Sequence, residues 1–245
     1  GNTTTRVGNR TQISDKTAVV SGTNEAVNSA GRASEMALQV MLKGKELARD
    51  DEKQMLSNKA SVTGNSSTAR QSAGMESWIT TNASRGSGGS GGGFSGGTVS
   101  APTDGTQRTF TEALLKAAQL SAFNNGGKPT QLYMGGTQKQ TFSSFAGIAV
   151  NRIDNAPSTG QLSIVGAADV YLGDFGRLTA IPHPYGMRAR TVLGIDPSYV
   201  RRADLRPMAN YDLSKTGDNK KRQILHEYTL QVDNEAAHFV VADLS

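Results

Sequence analysis

The sequence is short of the residues that usually carry chemistry. It has no cysteine, which excludes disulfides, zinc–thiolate sites and cysteine nucleophiles. Its only histidines are His183, His226 and His238, and no two of them stand at a metal-ligand spacing such as HExxH. They are expected as buried or interfacial side chains, with His226 facing His238 across a hairpin. Aromatic residues make up 6% of the chain and hydrophobic residues 36%, a lean core for 245 residues. No apolar run approaches the roughly 20 residues of a membrane-spanning helix, so no membrane is expected as a partner. No signal-peptide pattern is visible, and the Asn-x-Ser/Thr matches at Asn2, Asn9, Asn65 and Asn82 carry no weight without one. The chain opens on Gly1 rather than methionine and is expected to be a fragment or a processed product. Charge of one sign is not concentrated either: the net charge of +5 is spread along the chain, unlike the clustered charge of a nucleic-acid reader.

Glycine is abundant, at 28 residues, and much of it falls in a serine–glycine tract at 84–97. That composition predicts a long flexible surface loop. Within it, Gly86-x-Gly88-x-x-Gly91 fits a dinucleotide fingerprint, and Gly88-x-Ser90-x-Gly92 and Gly93-x-Ser95-x-Gly97 fit a nucleophile elbow. Both motifs need a strand–turn–helix context that the tract lacks. Gly126-Gly-Lys-Pro-Thr130 fails as a phosphate loop, because Ala122 and Pro129 stand where Gly and Ser or Thr are required. It reads as a helix stop before a strand.

Hydrophobic periodicity supplies the elements. Residues 1–21 read as an extended arm or half of a hairpin. Residues 23–61 read as one long helix of about 39 residues, roughly 58 Å, with Thr23 as its cap and Glu25 in its first turn. Its apolar stripe runs through Ala30, Ala33, Ala37, Val40, Met41, Gly44, Leu47 and Ala48. Residues 68–81 give a short helix and an apolar stretch with Trp78 and Ile79. A second amphipathic helix spans 109–123, with Thr109 and Glu112 as a capping box and Phe110, Ala113, Leu114, Ala117 and Leu120 or Ser121 on its apolar face. Strands are predicted at 130–134, 163–172 and 178–182, a short helix at 136–145, and a turn at Asp174-Phe-Gly176, with 190–195 and 199–205 leading into the closing hairpin. This mixture is α+β rather than a regular βαβ alternation.

The C-terminal block is the most informative part. From Ile224 to Val232 the chain alternates, with Ile224, His226, Tyr228, Leu230 and Val232 on one face and Glu227, Thr229 and Gln231 on the other, the mark of a half-buried strand. Residues 215–221 read as a loop before it. Asp233-Asn-Glu235 reads as a turn, and residues 236–244 as the second strand of an antiparallel hairpin. Arg188, Arg190, Arg201, Arg202 and Arg206 form a loose basic cluster that suits packaged phosphate or an acidic patch on a neighbouring subunit.

This block, Leu205-Arg-Pro-Met through Asn234-Glu-Ala-Ala-His238, resembles the closing segment of tailed-bacteriophage major capsid proteins with the HK97 fold. Further stretches follow in the family's order: Thr5-Arg-Val-Gly-Asn-Arg-Thr-Gln-Ile13, Val20-Ser-Gly-Thr-Asn-Glu-Ala-Val27, Lys43-Gly-Lys-Glu-Leu-Ala-Arg-Asp50, Trp78-Ile-Thr-Thr-Asn82, Arg108-Thr-Phe-Thr-Glu-Ala-Leu-Leu115 and Gly166-Ala-Ala-Asp-Val-Tyr171. The resemblance implies an HK97-like α+β fold. Residues 1–22 would be the returning half of an extended E-loop, with the N-terminal arm absent. Residues 23–62 would form the spine helix of the peripheral domain and 63–190 an axial α/β domain carrying the glycine-rich loop 85–97. Residues 191–245 would supply the peripheral-domain strands and closing hairpin. It implies a wall protein with no catalysis, cofactor or metal. Its partners would be copies of itself in pentamers and hexamers, with portal, scaffold and decoration proteins and non-specific contact with packaged double-stranded DNA. Assembly would take place in the host cytoplasm and the product would be the capsid shell of the virion. Candidate interface residues are Arg6, Arg10, Arg49, Arg188, Arg190, Arg201, Arg202, Arg206, Lys215 and Asp218. The alternative is an encapsulin-like shell of the same fold holding cargo protein.

Overall fold

The computed structural model describes residues 6–27, 31, 33–145 and 169–245. The chain enters through β1 (Gln12–Ser21), turns through α1 (Gly22–Ala26) and continues into α2 (Glu35–Met55). The expected single helix is therefore two. Ser34, not Thr23, caps α2 by accepting from the Ala37 amide, and the helix has 21 residues, roughly 32 Å. Glu25 sits outside its N-terminus, where its carboxylate accepts from Ser34 Oγ (2.8 Å) and the Met36 amide (3.1 Å). The buried line of α2 is Met36, Leu47, Asp51 and Gln54. Of the predicted stripe, Ala33, Ala37, Met41 and Ala48 are exposed, and Ala30 lies outside the described residues.

The short helix expected within 68–81 is α3, Met75–Trp78, and it contains Trp78 rather than preceding it. The glycine tract then departs from expectation. It forms β2 (Ala83–Ser84), β3 (Gly93–Ser95) and β4 (Thr98–Ser100), and bridges back from Ser90 to Thr103. Two of its glycines allow close packing: a Cβ on Gly92 would lie 2.3 Å from Ser100 O and 2.5 Å from Ser77 O, and one on Gly86 2.0 Å from Thr106 O. Composition predicted mobility; contact with backbone on both sides holds the tract in place.

Helix α4 (Glu112–Asn124) is capped by Thr111, two residues later than predicted, and its buried face is Leu115, Ala118, Gln119 and Ala122. Of the alternatives Leu120 and Ser121 for the apolar face, Leu120 is exposed. After β5 (Gln131–Met134) and α5 (Gly136–Ser143) come β6 (Val170–Gly173), β7 (Gly176–Pro182) and β8 (Thr191–Ile195). The part of the 163–172 strand before Asp169 lies outside the described residues. Two strands of 14 residues follow, β9 (Val200–Leu213) and β10 (Asn219–Val232), and β11 (Phe239–Ala242) closes the chain.

These strands build two principal sheets. One has the order β1-β10-β9, antiparallel throughout. The other has the order β2-β11-β8-β5-β7-β6 and mixes parallel and antiparallel pairs. The expected hairpin between 224–232 and 236–244 does not form. Strand β10 pairs instead with β9 before it, and β11 leaves for the other sheet to lie between β2 and β8. His238 consequently never faces His226. At its centre, in β8 and β11, the six-stranded sheet is buried on both faces, as the unbroken apolar run Phe239-Val-Val-Ala requires. Phe239, Val241 and Val192 pack with Leu115, Ala122 and Phe142 of the helices, while Val240, Ala242 and Leu193 pack with Met75, Trp78 and Ile79. Leu230 and Val232 of β10 join that second core and so weld the two sheets together. Met36 of α2 covers Ala18 and Val20 of β1.

Candidate assembly surfaces

The alternation read in β10 is present: Ile224, His226, Tyr228, Leu230 and Val232 are all buried. Glu227 was expected on the solvent face but is also buried, because the pairing with β9 shifts register on either side of it. It accepts from Thr11 Oγ1 (2.7 Å) and pairs with Arg70 (2.9 Å) and Arg206 (3.0 Å). The Thr11 hydrogen bond, helped by the two guanidiniums, holds its carboxyl below the usual range.

The arginines do not form one patch. Arg188 binds Glu76 (3.0 and 3.2 Å) and Asp104. Arg190 binds Asp243 (3.0 Å) and the Gly105 carbonyl (2.9 Å). With Arg85 on Glu76 (3.2 Å), these pairs staple the glycine-rich segment to the six-stranded sheet. Arg201 pairs with Asp233, and Arg202 with Asp204 (2.7 Å) and Asp51 (3.3 Å). Asp218 is tied to the end of β1, since its carbonyl accepts from the Gly22 amide at 3.1 Å. Arg10 reaches the Gly97 carbonyl at 3.5 Å. Arg49 lies over the Tyr185 ring, 5.3 Å from its centre. Arg6 and Lys215 are exposed. Lys215 sits in the turn between β9 and β10 with no carboxylate in ion-pair reach among the described residues.

Sequence reasoning missed a buried polar knot under α2. Asp51 and His226 meet at 2.9 Å, both almost wholly buried. Arg202 lies over Tyr228, 4.7 Å from the ring centre. Burial pushes the Asp51 carboxyl and the Tyr228 phenol up from their ordinary values. The signal available was Asp51 and Gln54 falling in register with Met36 and Leu47 on one helical stripe. Next to it, Glu52 reaches His183 at 3.3 Å. Among the described residues no three His, Asp or Glu side chains gather as a metal site, and no helix is long and apolar enough to cross a membrane.

What is left to the surface is a sheet edge. None of the 14 residues of β9 is buried, and Leu205, Met208 and Tyr211 stand exposed along it. Its second edge has no partner strand among the described residues. So long an uncovered edge is normally paired or blunted. The profile of the SU10 major capsid proteins matches residues 1–245. The chain belongs to the SU10 major capsid protein family. Solved structures agree on the fold. The encapsulin of the holo-SrpI complex of Synechococcus elongatus is 11% identical, with a TM-score of 0.59 over 96% of this chain and 74% of that one. The satellite phage P4 procapsid that includes a size-determination protein is 9% identical, with a TM-score of 0.59 over 100% and 75%. Mycobacterium phage Cain gives 10% identity and a TM-score of 0.56 over 97% and 74%. No curated protein matches. The SU10-family chain thus has the HK97-like α+β fold and is a phage shell-forming protein. Its role is structural: many copies build the shell of a virion.

Proposed function

We propose that this chain forms the icosahedral head of a tailed phage around double-stranded DNA, from pentamers and hexamers assembled in the host cytoplasm. The uncovered β9 edge carries the reading, since a strand with no buried residue gains its cover from a neighbour. In this assignment β1 is the returning half of the E-loop and α2 the spine. The β1-β10-β9 sheet is peripheral. The six-stranded sheet is axial, which moves β8 and β11 out of the peripheral part to which residues 191–245 were first assigned. Arg6, Arg10, Arg49, Arg201 and Lys215 remain surface candidates for subunit contacts. Arg188 and Arg190 are reassigned to internal staples. Portal, scaffold and decoration proteins join the shell, and contact with DNA is non-specific. An encapsulin-like container shares the fold, but the family match over the whole chain favours the phage head. Negative-stain microscopy with sedimentation of the expressed protein tests this. Closed shells or capsomer rings are expected; a monodisperse monomer even with scaffold present would refute it.

A further inference from the structure

Strand β10 ends in two unlike features. At its far end the turn to β9 presents Leu213, 37% exposed, next to the unpaired Lys215. At its near end, Val232–Glu235 borders a cleft of about 480 Å³ whose other wall is Trp78, Phe94 and Ser95. Trp78 and Phe94 stack there with centres 6.1 Å apart and planes 3° from parallel. Trp78 is 3% exposed, yet its Nε1–H has no acceptor among the described residues. A buried donor left unpaired costs about 1–3 kcal/mol, so such a group normally has a partner. At the rim, Glu235 accepts from the Thr80 and Thr81 amides (3.0 and 3.2 Å) and from the Thr81 hydroxyl, but has no cation in ion-pair reach among the described residues. Asp233 beside it is already paired with Arg201.

The two ends match: an apolar side chain next to an ammonium without a counter-ion, and an aromatic-walled cleft next to a carboxylate without one, among the described residues. They cannot meet within one chain, because the 14 residues of β10 hold them roughly 46 Å apart. We propose that the β9–β10 turn of one copy docks in the Trp78–Phe94 cleft of the next, with Leu213 on the aromatic floor, Lys215 on Glu235, and a backbone carbonyl of the turn on the indole N–H. The contact is head-to-tail, the type that closes into rings when the rotation allows. The inference rests on the shell-forming reading and deepens it by naming one contact.

The absence of cysteine makes the test clean. Leu213→Cys with Ser95→Cys changes two exposed positions, and oxidised shells are expected to give an intermolecular ladder on non-reducing gels that neither single variant gives. Wild-type shells treated with a zero-length carbodiimide are expected to carry an intersubunit Lys215–Glu235 amide, lost in Lys215→Gln. That second measurement stands even where the cysteine variants assemble poorly. Wild-type shells whose cross-links avoid both ends of β10 overturn the contact and leave the shell reading intact. A wild-type chain that forms neither shells nor rings overturns both.

Discussion

His238 lies fully buried just before β11, and its Nδ1 accepts from the Asp196 amide at 3.1 Å. That bond places the proton of the neutral ring on Nε2. Burial lowers its pKa from 6.5 to about 4. The unfolded chain gains a proton near pH 6.5 and the folded chain only near pH 4. The group's contribution to stability is therefore whole above pH 6.5 and is lost as the pH falls to 4, by roughly 3 kcal/mol. Urea unfolding of unassembled protein across this window is expected to show that decline, and His238→Asn, which keeps an acceptor without titrating, to flatten it. Asp51 makes the second prediction at this scale. Asp51→Ala strips His226 and Arg202 of their buried partner and is expected to cost about 3 kcal/mol, read as a lower urea midpoint. An unchanged midpoint would mean that the knot contributes nothing to the seating of α2.

At the scale of the element, the glycine-rich segment behaves as packed structure. Gly92→Ala drives a Cβ into two backbone carbonyls and is expected to lower the melting temperature by several degrees or abolish folding. Gly136→Ala in α5 meets no atom within 4 Å and is expected to be neutral or to stabilise by about 0.5 kcal/mol. Equal effects at the two sites in thermal melts would remove the distinction. The same segment shows where sequence stops being legible. Glycine content reports what a backbone is able to do; whether it moves depends on what lies against it, here Ser77, Ser100 and Thr106. The buried face of β10 was readable because one-sided burial imposes a period of two. Its partner was not, because pairing depends on the register of residues far away in the chain. The face of α4 was misread because Gln119 is buried and Leu120 exposed, a reversal of polarity that only tertiary packing produces. Arginines were found by residue type, but type does not distinguish a staple such as Arg190 from a surface charge such as Arg6.

For the whole molecule, the exposed β9 edge predicts a difference between free and assembled protein. Its outward amides are expected to exchange with deuterium rapidly in the unassembled chain and to gain protection in shells. Unchanged exchange on assembly would remove β9 from the contact surface. Arg201→Glu, on the same strand and largely exposed, is expected to leave folding within about 0.5 kcal/mol and to be felt in assembly yield alone, measured by sedimentation. The pairing of β1 with β10 has a further consequence, in time rather than space. The Thr11–Glu227 hydrogen bond joins residues 216 positions apart. A ribosome adding 5–20 residues per second needs roughly 10–40 s to cover that interval. Throughout it β1 has no partner strand and α2 no complete seat. A chain cut short before β10 therefore lacks the strand that joins β1 to β9, and such an unfinished copy is expected to be missing from shells assembled beside the full-length protein.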